Sequence, residues 1–342
     1  MITGLDRLAA AAAGNKSDRI PIFCNLLDHG ARYLGISLKE YYSSGERVAE
    51  AQLGMREKYG HDNVWSLFYV GKEAELLGCK NIIFYEDGPP NVGEFIVKTH
   101  EDVKALVVPE DIASHPAMTE QLKCIRTLKR AVGGRHAICV YVTASMTLPA
   151  LLMGMEKWIE LLLMGPADMR DELLEKSSEL FRKQIDLFRK EGADVIVYSN
   201  PFGSTDFIPM RFFRDFSLPW MEKDLAPGGV NGVVYYCGMA RMNAVIAQVL
   251  EKMKIGVYYT SPLDDLAEAK RIIAGRALTA GVINDIKLVV WTPKEIRAEV
   301  KRIINTGMPG GKFFFGTGVM PYAIPDENVR IMMETAKEFG SY

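Results

Sequence analysis

Side chains able to move protons recur just after short apolar runs in this chain. Asn25, Asp28, His29 and Arg32 follow the run at 20–25, and Tyr69 and Glu73 close the run at 64–70. Asn200 and Asp206 follow a third run, Tyr236 and Cys237 end a fourth, and Asn284 and Asp285 follow another. Carboxylates and an imidazole brought to one place can give or take a proton at a reacting oxygen. His29, Asp28, Glu73 and Asp206 are therefore the candidate catalytic groups. Asn25, Arg32, Tyr69, Asn200, Tyr236, Asn284 and Asp285 supply the donors and acceptors that orient a substrate. Each type also has a purely structural use: His29 as a hydrogen-bonded loop histidine, Asp285 as a helix cap or Asx turn, Cys237 as a buried thiol.

These residues act together only if the elements carrying them converge. β-Branched and aromatic runs bounded by Gly, Asn, Asp and Pro predict strands at Ile20–Asn25, Val64–Val70, Ala137–Thr143, Asp194–Asn200, Val233–Cys237, Gly256–Thr260, Leu278–Ile283 and Lys312–Thr317. Apolar residues at three- and four-residue spacing predict helices at Gly4–Ala13, Ala167–Lys190, Arg241–Lys254, Asp265–Ile273, Thr292–Asn305 and Asp326–Phe339. Thr292, Pro293 and Glu295 form a capping-box start, and Gly14 a stop. Strands alternating with helices predict an α/β fold, a (β/α)₈ TIM barrel occupying residues 1–342 as one domain. The stretch NIIFYEDGPPNVGEFIV, with its Gly-Pro-Pro turn, predicts a hairpin-like excursion around 78–98. In such barrels reactive groups sit at the carboxyl ends of the strands, where the residues named above fall.

The 41 basic and 43 acidic residues nearly cancel without like-charge runs, which argues against nucleic-acid or membrane-surface partners. No apolar stretch approaches the roughly 20 residues needed to span a bilayer, and no signal pattern opens the chain, so a cytoplasmic location is expected. Five scattered cysteines without CxxC pairs fit reduced thiols. Barrel flanks often self-associate, so a homodimer is a further expectation.

Ordered segments carry a resemblance. RIPIFCNLLDHGARYLGISLKEYYSSGERVAEAQLGMREKYGHDNVW, EAELLGCKNIIFYEDGPPNV, VTASMTLPALLMGMEKWIELLL, EGADVIVYSNP, YYCG at Tyr235–Gly238 and PDENVRIMMETAKEFG resemble the uroporphyrinogen decarboxylase superfamily, most closely its methylcobamide:coenzyme M methyltransferase branch. The resemblance implies a barrel of uroporphyrinogen decarboxylase type. The decarboxylases hold their substrate with paired arginines in the first loop and an aspartate after the second strand. Here only Arg32 remains of the pair, and Glu73 and Glu75 stand where no aspartate corresponds. The thiol-methylating branch binds zinc through His-x-Cys-Gly and a later cysteine. Cys237 and Gly238 match that motif, whereas Tyr235 and Gly318 occupy the other two ligand positions, leaving Cys237 as the one family metal ligand. A rebuilt zinc site would have to draw on His29, Asp28, Glu73 or Asp206. The resemblance therefore implies a corrinoid-dependent methyltransferase. Its expected partners are a small-molecule methyl donor, a methoxylated aromatic ether, and a corrinoid protein whose cob(I)alamin accepts the methyl group. Methylation of a thiol by methylcobamide, a non-catalytic corrinoid- or tetrapyrrole-binding barrel, and decarboxylation are the alternatives.

Overall fold

A hydrogen-bonded ladder of parallel strands organises the computed structural model, which describes residues 2–226 and 228–342. The strands are β1 Ile22–Asn25, β2 Asn63–Trp65, β3 Ala137–Thr143, β4 Val195–Ser199, β5 Val233–Tyr236, β6 Val257–Tyr259, β7 Leu278–Ile283 and β8 Phe313–Val319. The eight-stranded ladder runs β1-β8-β7-β6-β5-β4-β3-β2, with helices between successive strands, which is a (β/α)₈ barrel. Between β2 and β3, Ile82–Ile83 pairs antiparallel with Asn91–Val92, the hairpin expected around the Pro-Pro turn.

The ladder leaves β1 and β2 as its two ends, and side chains complete the circle. Asp62 Oδ2 accepts from the Ile22 N–H at 2.8 Å, and the Asp62 N–H donates to the Ile22 carbonyl at 2.8 Å. Asn63 Oδ1 accepts from the Cys24 N–H at 3.0 Å, and the Trp65 indole N–H donates to the Cys24 carbonyl at 2.9 Å. Backbone groups of β1 that would otherwise be buried and unpaired are thereby satisfied. Asp62 is itself held by Arg7 Nη1 at 2.9 Å and Arg19 Nη1 at 2.6 Å.

Inward-pointing rings line the barrel. Trp65 stacks on Tyr141 with centroids 4.9 Å apart, and contacts continue through Tyr236, Tyr259 and Phe314 to Phe23. Beneath them lies a cavity of about 170 Å³ to which Leu8 and Ala12 contribute, so the helix Gly4–Ala13 closes the amino-terminal end. That helix begins with a capping box at Thr3 and ends at Gly14 in the left-handed conformation. The long helix Ala167–Glu191 buries Leu173, Leu174, Phe181, Ile185 and Phe188 at helical spacing. Among the described residues no helix is long and apolar enough to cross a membrane.

Most strand limits shift from expectation, by a single residue at β4, β5 and β6 and by more at β1, β2 and β8. β1 starts at Ile22 because Pro21 has no N–H to give. β2 stops at Trp65: the Leu67 N–H turns to the Cys124 thiol at 3.4 Å, so Phe68 and Tyr69 leave the sheet and become loop residues. β8 runs two residues past Thr317, which places Gly318 and Val319 within a strand.

Replacing Asp62 by Ala removes the carboxylate that both arginines and β1 share. Chemical denaturation of Asp62→Ala should show a loss of roughly 3–5 kcal/mol, the cost of breaking a buried ion pair on one side.

Candidate active site

The loops after β1, β2 and β8, together with the hairpin, enclose a cavity of about 420 Å³ at the carboxyl end of the barrel. Leu27, Phe68, Val70, Met320 and Tyr322 give it apolar and aromatic walls, Asp87–Pro89 form one side, and among the described residues no lysine or arginine lines it. Asp28 is its buried acid. The Tyr42 hydroxyl donates to Asp28 Oδ1, while Oδ2 has no partner. Burial raises the Asp28 pKa to about 6, only partly offset by the Tyr42 hydrogen bond. Tyr69, also in the wall, donates to Glu75 Oε2 at 2.6 Å, and Lys72 is paired to the same oxygen at 2.9 Å. The Lys72 ammonium is thus paired with Glu75 and does not line the cavity.

His29, adjacent to Asp28, points elsewhere. Its Nε2 lies 2.9 Å from the Pro321 carbonyl oxygen, which fixes that nitrogen as the protonated donor of a neutral ring. Burial lowers its pKa to about 4, against a small opposing effect of that hydrogen bond. Arg32 donates to the carbonyls of Ile324, at 2.9 Å, and Tyr322, with its guanidinium 4.5 Å from the Tyr322 ring centroid. Both basic side chains brace the loop that forms the far wall.

A second cavity of about 200 Å³ adjoins the first, Val319 lining both. Tyr236, Gly238, Gly318 and Asp285 face it. Asp285 is 3% exposed, and burial raises its pKa to about 7. The neighbouring Asn284 accepts from the Lys287 N–H at 3.2 Å, a contact three residues on that caps the start of the following short helix.

The remaining candidates lie apart from both cavities. Asn25 spans the interior, donating to the Tyr141 hydroxyl at 3.0 Å. Glu73, on the helix Lys72–Leu76, accepts from the Thr143 N–H at 3.1 Å behind the wall, and burial raises its pKa. Asn200 is held between Thr147 and Ser217. Asp206 is exposed and accepts from the Arg241 N–H at 2.8 Å, bracing one loop against the next. Cys237 shares the outward side of β5 with Tyr235, packed with Tyr198 and Met242 against the helices, and burial pushes its thiol up to about 12. The donor set does not fit zinc. Cys237 faces away from the mouth, Tyr235 and Gly318 offer no ligand, and among the described residues no three His, Cys, Asp or Glu side chains gather to hold a metal.

Sequence reasoning missed Tyr42 and the hairpin tip Asp87–Pro89. Tyr42 stands on the helix Leu38–Tyr42, remote from any strand end, so a filter for strand termini passes over it. The sequence marks the hairpin as an excursion, but its folding back over the mouth is a tertiary fact.

A family model described as Uroporphyrinogen decarboxylase (URO-D) matches residues 3–339. The methylcobamide:CoM methyltransferase MtaA of Methanosarcina barkeri is 24% identical over 338 residues, with 97% of each chain covered. The uroporphyrinogen decarboxylase of Trichlorobacter lovleyi is 24% identical over 349 residues, covering 96% of this chain and 97% of its own. A solved methyltransferase from Methanosarcina mazei shares the fold, with a TM-score of 0.82 at 22% identity and 99% of both chains covered.

His29→Ala should leave the Pro321 carbonyl unpaired and cost about 1–3 kcal/mol in denaturant titration. Nitrogen-detected NMR of the wild type should find the His29 ring neutral down to a pH near 4.

Proposed function

The chain belongs to the uroporphyrinogen decarboxylase family, and on that premise we propose that it is a corrinoid-dependent methyltransferase. Its methyl donor is a methyl ether, a methoxylated aromatic, and its acceptor is the cob(I)alamin of a corrinoid protein. This reading rests on the mouth cavity, whose aromatic walls enclose a buried acid and no cation. Its volume suits one small aromatic ring. A substrate with many carboxylates would need basic partners, and Arg32 is already spent on backbone carbonyls. Decarboxylation of a porphyrinogen fits such a site poorly.

An ether carbon–oxygen bond breaks with its electron pair passing to oxygen, and a phenol leaves readily only if that oxygen is protonated or strongly hydrogen-bonded. Asp28 is the acid we assign to this step. Tyr42 holds Oδ1, which leaves Oδ2 to carry the proton toward the leaving oxygen. The apolar walls that raise its pKa also keep water from competing for the proton. His29 and Arg32 are positioning residues that hold the loop opposite. The corrinoid, presented by its partner protein, supplies the nucleophile that takes the methyl group. Phe207, Leu263, Ile286 and Val319 expose apolar side chains on the loops after β4, β6 and β7 and at the end of β8, a rim suited to a docked protein. The relatives named for methylation of coenzyme M favour a thiol as methyl acceptor. The absence of a fitting zinc donor set weighs against that acceptor here.

Purified protein, a corrinoid carrier in the cob(I) state and a panel of methoxylated aromatics should yield methylated corrinoid and free phenol together. Loss of methylcobalamin on adding a thiol, with no response to any ether, would replace this reading by thiol methylation.

The protonated fraction of Asp28 falls tenfold per pH unit above its pKa of about 6. Phenol release measured under single-turnover conditions should therefore decline from pH 6 to pH 8. Asp28→Asn should flatten that decline and lower the rate by roughly 10²–10⁴-fold, the usual worth of a positioned general acid.

A further inference from the structure

Asp285 and Gly318 fit one another across neighbouring strands. Asp285 follows β7 and Gly318 lies in β8, which pairs beside it. A Cβ placed on Gly318 would come within 2.6 Å of Asp285 Oδ2 and 3.4 Å of its Cγ. The carboxyl group thus occupies the volume in which any side chain at 318 would begin. The Asp285 carboxyl faces the 200 Å³ cavity. Tyr236 and Cys24 are its titratable neighbours, and burial keeps both in their neutral forms. An almost fully buried acid without a charged partner, open on one side to a small cavity, is suited to donate a hydrogen bond to a neutral oxygen.

We propose that Asp285, seated in the notch left by Gly318, is a second substrate-contacting group that donates a hydrogen bond to an uncharged oxygen substituent of the aromatic methyl donor. Gly318 is the specificity-determining position that keeps the acid there. This rests on the aromatic-ether reading above and deepens it. Val319 lines both cavities, and a ring bound in the larger one would reach Asp285 with a substituent directed past that side chain. Donors with a second oxygen on the ring are then preferred over those carrying the methoxy group alone.

Calorimetric titration of the full-length protein with 2-methoxyphenol and with toluene, which has the ring but no oxygen, tests the contact without any corrinoid. The wild type should prefer 2-methoxyphenol. Asp285→Leu should reduce that preference by about tenfold, the size of one well-made buried hydrogen bond, with toluene binding retained. Asp285→Asn, whose amide still donates, should keep most of the preference. Gly318→Ala pushes the carboxyl aside and should reproduce the loss in a protein with unchanged circular dichroism. Wild-type affinity for 2-methoxyphenol in both Asp285→Leu and Gly318→Ala would overturn the proposal, as would an equal loss for toluene. If the methyl-transfer assay fails while the oxygen preference still tracks Asp285, the contact stands and the ether reading falls. Ether turnover with no dependence of binding on Asp285 would be the reverse.

Discussion

Closure of the barrel hangs on Asp62 and its neighbours. Every other seam is a ladder of backbone hydrogen bonds, but between β1 and β2 a single backbone bond, from the Asp62 N–H to the Ile22 carbonyl, is joined by bonds from the side chains of Asp62, Asn63 and Trp65. The loops that follow these two strands carry Asp28 and Tyr69, so the geometry of the mouth cavity depends on the seam. Arg7 and Arg19 hold Asp62 from the amino-terminal side. A buried carboxylate with two guanidinium partners and a backbone N–H has little freedom left, and that rigidity is passed up two short strands to the site.

Charge is distributed between the two ends of the barrel in opposite ways. At the floor, the acid is satisfied by arginines. At the mouth, Asp28 and Asp285 are buried without cations, while His29, Arg32 and Lys72 are each engaged by carbonyls or by Glu75. Burial therefore dominates the acidity of the mouth, raising both carboxyl groups toward neutrality against the smaller effect of their hydrogen bonds. The same burial lowers His29, which removes the imidazole as a proton donor near neutral pH. Two carboxylic acids facing apolar cavities favour neutral, oxygen-bearing ligands over anions.

Much of the fold was legible because its signals are local. Alternating apolar runs, the Thr292 capping box and the Gly14 stop report on their own neighbourhoods, and the helix Gly4–Ala13 is found where its alanine run and glycine place it. The limits of β2 were not legible, since the bond that ends it reaches Cys124, remote in the chain. The strand-end filter did bring Asp28, Tyr69, Tyr236 and Asp285 to the mouth cavities. It could not separate them from Asp206 or Glu73, because side-chain direction is settled by partners such as the Arg241 and Thr143 N–H groups. Cys237 illustrates the same limit: one step along a strand turns a side chain from the interior to the helices.

The pairing of β1 with β8 joins residues near the start of the chain to residues near its end, Ile22 against Phe315. On a ribosome, β1 emerges before the other strands, acquires its β2 neighbour through Asp62 and Asn63, and then keeps one edge open until β8 has been made. An unpaired edge of Ile, Phe and Cys invites association with other nascent chains. Its brevity, four residues preceded by a proline, is the feature that blunts this hazard. The geometry that completes the active site is thus also what delays its completion to the last strand synthesised.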